Sequence, residues 1–197
     1  MANSANKELI IIGAGGHARV VADTVVAMGI SLKGIVDIEY HGQKEEIMGY
    51  PVLGGLEVIE QLEPTEVTLA IAVGDNTQRS HYYTLFKQKG FSFPPLIHIT
   101  AVVSKFSYIS DGTFINAGAI INPGAKIGQN CIINSGSIIE HEVSLGMHCH
   151  ICSGVKIGGR VVVGDNSFIG IGTSIIDYIK VGSNVVVGAG SVIIKNI

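Results

Sequence analysis

The stretch Ile138–Cys152 reads IIEHEVSLGMHCHIC and holds three of the chain's seven histidines, two of its three cysteines and two carboxylates. Such a set could be a metal cage, an acid–base centre, or a piece of wall that carries polar side chains. His148, His150 and Cys152 alternate, so on one strand they share a face. An extended chain spaces them about 7 Å apart, whereas zinc ligands must each lie about 2 Å from one ion. No C-x-x-C or H-x-x-x-H pair supplements them, so no metal site is expected. His141 is different, because Glu140 and Glu142 flank it. An imidazole titrates near neutrality and can take the proton of an attacking amine, an effect of roughly 10²–10⁴ in rate. A neighbouring carboxylate can fix its tautomer. The alternative for each of these side chains is a solvated corner without a role, and the surrounding elements decide.

Those elements are set by a period of six. From Ile97 to Ile193 every sixth residue is Ile, Val or Leu, with no break in register. Four residues after each stands a small or β-branched side chain, as at Ala119, Ala125, Cys131, Val143 and Cys149. Gly or Asn fills positions between, as at Gly118, Asn130, Gly136, Gly154 and Asn166. The pattern predicts short strands ended by turns, one large and one small side chain pointing inward, and Gly or Asn where the backbone must bend. Three strands close a coil of about eighteen residues, and coils stack roughly 4.8 Å apart. About five coils follow, a parallel β-helix of repeats. In this register Cys149 and Ile151 point inward, Cys131 and Cys149 stack as thiols one coil apart, and His148 and Cys152 are expected at the surface.

The first half reads as alternating strands and helices. Strands are expected over Glu8–Ile12, Gly34–Asp37 and Val67–Val73, and helices from His17 to Met28 and from about Thr77 to Gln88. Gly29 stops the first helix. Pro94-Pro95 marks the boundary, giving an α/β domain over 1–95 and the β-helix over 96–197. The turn Gly13-Ala14-Gly15-Gly16-His17-Ala18 satisfies G-x-G-x-x-G/A, with Asp37 at about the distance of a ribose contact. Three readings follow: a dinucleotide site, a purely structural turn, or a nucleotide or nucleotide-sugar site formed with the Gly74-Asp75-Asn76 loop. The unit is short for a full dinucleotide fold and carries no evident hydride-transfer residues, which favours the last.

Composition narrows the partners. A formal charge of −3 and the lack of a basic patch exclude a nucleic-acid surface. No apolar run reaches membrane-span length, and the start MANSANKELIII lacks a signal-peptide pattern. Three cysteines cannot all pair within one chain, so reduced thiols and a cytoplasmic setting are expected.

The repeat resembles the hexapeptide-repeat acyltransferases. IIGAGGHARVV, AVGDNTQR and PPLIHITAVVS resemble the branch that acetylates bacterial sugars: UDP-4-amino-sugar and perosamine N-acetyltransferases and sialic-acid O-acetyltransferases. The resemblance implies a small Rossmann-like domain followed by a β-helix of left hand, a homotrimer, and acetyl-CoA bound between adjacent prisms. It implies a UDP- or GDP-amino sugar held through Gly15, Gly16, His17, Asp37, Gly74, Asp75 and Asn76. The family's I-E-H-E motif matches Ile139-Glu140-His141-Glu142, making His141 the general base and Glu142 its orienting carboxylate. His150 matches a second histidine near the thioester, and Asn134 an asparagine that lines the site from the trimer partner. Gly159, Ile171 and Ala189 fall where backbone groups contact the pantetheine arm. Members commonly continue into a G-x-P-A-K ending that helps hold the CoA adenine, and this sequence ends at Ile197 without it. The implied reaction is direct acetyl transfer to a sugar amine in bacterial glycan biosynthesis, without an acyl-enzyme. Sugar O-acetylation and a non-catalytic nucleotide-sugar scaffold are the alternatives.

Overall fold

The computed structural model describes residues 7–42 and 45–197, and the chain divides into two compact units, Met1–Pro94 and Pro95–Ile197. In the first, β1 (Glu8–Ile12), β2 (Leu32–Val36), β3 (Glu46–Ile47), β4 (Tyr50–Gly54) and β5 (Val67–Ile71) form one sheet in the order β3-β4-β2-β1-β5. The last four strands in that order are parallel, and β3 is antiparallel to β4. Leu9, Ile10, Ile11 and Ile12 of the central β1 are all fully buried, as a parallel strand covered on both faces must be. Helix α1 (Gly16–Ala27) buries Ala18, Val21, Ala22 and Val25, an i, i+3, i+4, i+7 stripe. It ends at Gly29 in a left-handed cap (φ 70), with the Ile30 N–H donating to the Val25 carbonyl. Helix α2 (Glu57–Glu60) is one turn, and α3 (Asn76–Gln88) buries Tyr83 and Phe86 in the same core. Strands β3 and β4 and helix α2 have no counterpart in the sequence pattern. Pro51 lies within β4, where a missing N–H argues against a strand.

In the second unit two-residue strands recur every six residues from Leu96–Ile97 to Val192–Ile193. Each pairs in parallel with the strand eighteen residues away, as in the ladder Ile121, Ile139, Ile157, Ile175. Three sheets result, closed into a left-handed parallel β-helix. Its core stacks large Ile115, Ile121, Ile127, Ile133 and Ile139 with small Ala119, Ala125, Cys131, Val143 and Cys149. At every sixth residue from 112 to 190 the backbone is left-handed, giving three corners per coil.

Two expectations of the sequence are corrected. His148 is buried (8 % exposed), not at the surface, with Asn130 Nδ2 2.8 Å from its Nδ1. Cys152 is buried too (5 % exposed), packed in the core. The reason is the brevity of the strands. Alternation runs for only two residues before a corner; His148 occupies such a corner (φ 60) and bonds the coil before it.

Candidate active site

The corner after Ile138–Ile139 carries His141 and Glu142. Their side chains are about half exposed, with His141 Nδ1 3.2 Å from Glu142 Oε2. A carboxylate can only accept here, so Nδ1 carries the proton and the Nε2 lone pair is free to act as a base. The ring lies over Gly159 of the next coil, where a Cβ would come within 2.6 Å of Nε2 and 2.7 Å of Cε1. Glycine at 159 is therefore what makes room for the imidazole. Its backbone is engaged: the N–H donates to Asp177 Oδ1 (2.6 Å) and the carbonyl accepts from the Tyr178 N–H (3.0 Å). Gly159 thus seats His141, and its carbonyl keeps a second lone pair.

Glu142 has a left-handed backbone (φ 57) and its Oε2 also accepts from Arg160 Nε at 2.8 Å. The hydrogen bond from His141, then that from Arg160 and the guanidinium charge, hold its carboxyl below the ordinary value of 4.5. Glu140 faces elsewhere, its Oε2 accepting from Asn122 Nδ2 at 3.1 Å. Beside this corner a groove of about 300 Å³ runs over the sheet, lined by Ile138, Glu140, Lys156, Gly158, Ser174 and Ile176. Lys156, Ser174 and Ile176 escaped the sequence reading, although each stands eighteen or thirty-six residues from Glu140 or Ile138, a spacing the repeat makes visible.

The other expected residues sit elsewhere on the prism. His150 belongs to the sheet of Ile132–Ile133 and packs edge-on against Phe168, 5.1 Å between ring centroids. Asn134 follows Ile133 on that sheet, and its Oδ1 accepts from Asn116 Nδ2 at 3.0 Å. Ile171 and Ala189 are exposed one coil apart at the glycine corner beside that sheet. The β-helix thus gathers His141, Glu142 and Gly159 at one corner and His150, Asn134, Ile171 and Ala189 along another side.

In the first unit a cleft of about 490 Å³ opens at the carboxyl ends of β1, β2 and β5, where the strand order reverses about β1. Gly15, Gly16, His17, Asp37, Gly74 and Asp75 line it, joined by Glu39 and Gln78, which the sequence reading missed. A Cβ on Gly15, Gly16 or Gly74 would meet nothing within 4 Å, so the room above them is open, and the N-terminus of α1 faces it. Gly13 is structural instead: at φ 106 a Cβ would lie 2.9 Å from the Ala72 carbonyl oxygen. Asp75 caps α3, its Oδ1 accepting from the Gln78 N–H at 2.8 Å. Asn76 is not among the lining residues and accepts from the buried Arg79 Nη2 at 2.7 Å. Arg79 also donates to the Val73 and Gly74 carbonyls, tying down the whole loop. No lysine or arginine is among the described lining residues, so an anion there would rest on backbone N–H groups and His17. Among the described residues no group of His, Cys, Asp and Glu is arranged to hold a metal.

Residues 8–86 match the PglD N-terminal domain, and residues 106–141, 125–159 and 160–195 match the bacterial transferase hexapeptide repeats. The acetyltransferase domain of PglB from Neisseria gonorrhoeae FA1090 is 33% identical with a TM-score of 0.92, over 98% of this chain and 93% of that one. It has also been solved in complex with acetyl coenzyme A. PerB from Caulobacter crescentus, in complex with CoA and GDP-perosamine, is 34% identical with a TM-score of 0.91, over 96% and 90%. A UDP-N-acetylbacillosamine N-acetyltransferase of Bacillus subtilis (strain 168) is 35% identical over 115 residues, 56% of this chain and 52% of the relative. The chain spans about half the length of that curated relative. The chain belongs to the hexapeptide-repeat sugar acetyltransferases that carry a PglD-type N-terminal domain.

Proposed function

We propose that this protein transfers acetyl from acetyl-CoA to the amino group of a nucleotide-linked sugar. The free amine attacks the thioester carbonyl and forms a tetrahedral intermediate. His141 Nε2 accepts the proton released from the amine nitrogen, the carbon–sulfur bond breaks, and the proton passes to the CoA thiolate. Glu142 keeps Nδ1 protonated and stabilises the imidazolium. The observation that carries this reading is the His141–Glu142 pair seated on Gly159. None of the three buried cysteines adjoins His141 in sequence, which favours direct transfer over an acyl-enzyme.

The cleft of the first unit takes the nucleotide. Its backbone donors suit a diphosphate, and Asp37 and Glu39 suit hydroxyl or ring N–H donors. The groove beside His141 takes the pantetheine arm. The separation of His150 and Asn134 from His141 on one prism supports a homotrimer, in which a neighbour completes each site. No helix of the described residues is long and apolar enough to cross a membrane, and a cytoplasmic setting, where acetyl-CoA is supplied, suits the reading. The relatives' names support the substrate class, since GDP-perosamine and a UDP-linked amino sugar are both nucleotide-linked amino sugars.

A thiol-release assay with acetyl-CoA against GDP-perosamine, UDP-4-amino sugars and free sialic acid tests it. Turnover is expected with a nucleotide-linked amino sugar, and His141→Ala should lower kcat at least about a hundredfold. Near-normal turnover by that variant removes the mechanism, and turnover on sialic acid alone moves the activity to O-acetylation.

A further inference from the structure

We propose that Arg160 and Tyr178 are positioning residues for the acid–base pair, a two-coil clamp that holds the Glu142 carboxylate against His141. The proposal rests on the reading of His141 as the base and deepens it. His141 and Glu142 stand on one coil, Arg160 on the next and Tyr178 on the one after, at eighteen-residue spacing. Arg160 reaches both ways: Nε donates to Glu142 Oε2 at 2.8 Å and Nη1 to the Tyr178 hydroxyl at 2.6 Å. Its guanidinium carbon lies 5.5 Å from the Tyr178 ring centroid. The chain is therefore continuous from imidazole to carboxylate to guanidinium to phenol.

The backbone supplies a second, independent observation. Glu142, Arg160 and Tyr178 all have left-handed φ (57, 59 and 65). Gly124 at the same corner one coil earlier, and every residue of the glycine corner, take that conformation without a side chain. A side chain there is strained, and exposed ion pairs return little stability. The ladder is thus poorly explained as a stabilising device, and it ends on the residue that orients the base. Strain held at a functional constellation is the expected pattern.

The physical need is clear. Glu142 is half exposed on a flexible stem, and left to itself its carboxylate would leave the imidazole for water. Arg160 anchors the same oxygen that His141 uses, and Tyr178 fixes the far end of the guanidinium, so the bond to Nδ1 is kept without ordering a fresh side chain at each turnover. Two neighbouring carboxylates have their own partners: Glu140 bonds Asn122, and Asp177 accepts from the Gly159 N–H.

Selective ¹⁵N-histidine labelling of the full chain tests the clamp without any substrate. At a pH where the ring is neutral, His141 in the parent should show the Nδ1–H tautomer. In Arg160→Gln and Tyr178→Phe its two nitrogen shifts should move toward each other as the tautomers mix. In turnover, Arg160→Gln should lower kcat by about two- to fivefold with KM for acetyl-CoA unchanged, the scale of one exposed charged contact. The same substitution in a Glu142→Ala background should cost nothing further, because Arg160 acts only through that carboxylate. An unchanged tautomer in Arg160→Gln, or an equal loss of kcat with Glu142 absent, overturns the clamp. A His141→Ala variant with normal turnover would sink the base instead, so the two failures are distinct.

Discussion

Two corners of one β-helix carry side chains where the third carries glycine, and they use them in opposite ways. The third corner holds Gly118, Gly136, Gly154, Gly172 and Gly190, all left-handed. A second holds Gly112, Asn130, His148, Asn166 and Asn184, again left-handed, with Asn130 and His148 buried and bonded to one another. The remaining corner holds Gly124, Glu142, Arg160 and Tyr178, with its charged heads about half exposed. The same backbone, φ and period support a buried polar seam at one edge and an exposed charged ladder at another. What differs is solvent and charge. An amide and an imidazole can be buried when bonded to one another, whereas a carboxylate and guanidinium must keep contact with water. A histidine meant to meet a ligand belongs at the wet corner, which is where His141 lies.

Exchanging the two histidines' fates is the strongest way to break this comparison. His141→Ala should leave the melting temperature near the parent's while kcat falls at least about a hundredfold. His148→Ala should do the reverse, keeping kcat within about twofold while stability drops by about 1–3 kcal/mol, because Asn130 loses its buried partner. Differential scanning calorimetry beside steady-state kinetics reads both, and a dead but stable His148→Ala would erase the distinction.

Gly159→Ala comes next. The added methyl occupies the place of the imidazole, so kcat should fall about tenfold or more with the fold intact by circular dichroism. Unchanged turnover would mean that His141 does not need that seat. In the first unit, Gly15→Val should weaken nucleotide-sugar binding about tenfold by filling the open cradle, while acetyl-CoA binding is unaffected, as calorimetry would read. Equal weakening of both ligands would contradict the division of labour.

Smaller effects sharpen the picture. Arg160→Gly relieves a left-handed side chain, so its melting temperature should rise by about one to three degrees even as kcat falls. A lower melting temperature would make the ladder a stabilising element after all. Glu142 titrates below its ordinary 4.5 because His141 and Arg160 bond its charged form. A depressed folded value contributes stability that is present above about 4.5 and is lost as pH falls through the folded value. Melting temperatures of parent and Glu142→Gln should therefore differ above 4.5 and converge as pH falls through the depressed folded value; a constant gap would show that the charge is not what is linked. Burial pushes the Cys152 thiol up to about 11, so Ellman's reagent should react slowly with the folded protein and rapidly after denaturation.

The period of six was visible in the residues themselves, since Ile97 to Ile193 keep their register through every coil of the structure. The glycine cradle and the His141–Glu142 pair were legible too, because a turn motif and adjacent residues need no distant partner. Less was visible where the contact spans eighteen residues or more. His148 and Cys152 read as surface because alternation was carried past the end of a two-residue strand. Glu39, Gln78 and Arg79 join the glycine-lined cleft or brace it only after β1, β2 and β5 have been laid side by side.

The sequence by itself determined the repeat, the inward ladders, the turn at the end of β1 and the adjacency of His141 to Glu142. These are local: a period, a spacing, a neighbour. Only the tertiary structure decided which histidine is wet and which is dry, that Gly159 makes a seat for an imidazole, and that Arg160 and Tyr178 stand in line with Glu142. A corner's side chain is placed by the coil before and the coil after, and that stacking exists only once the chain has wound upon itself.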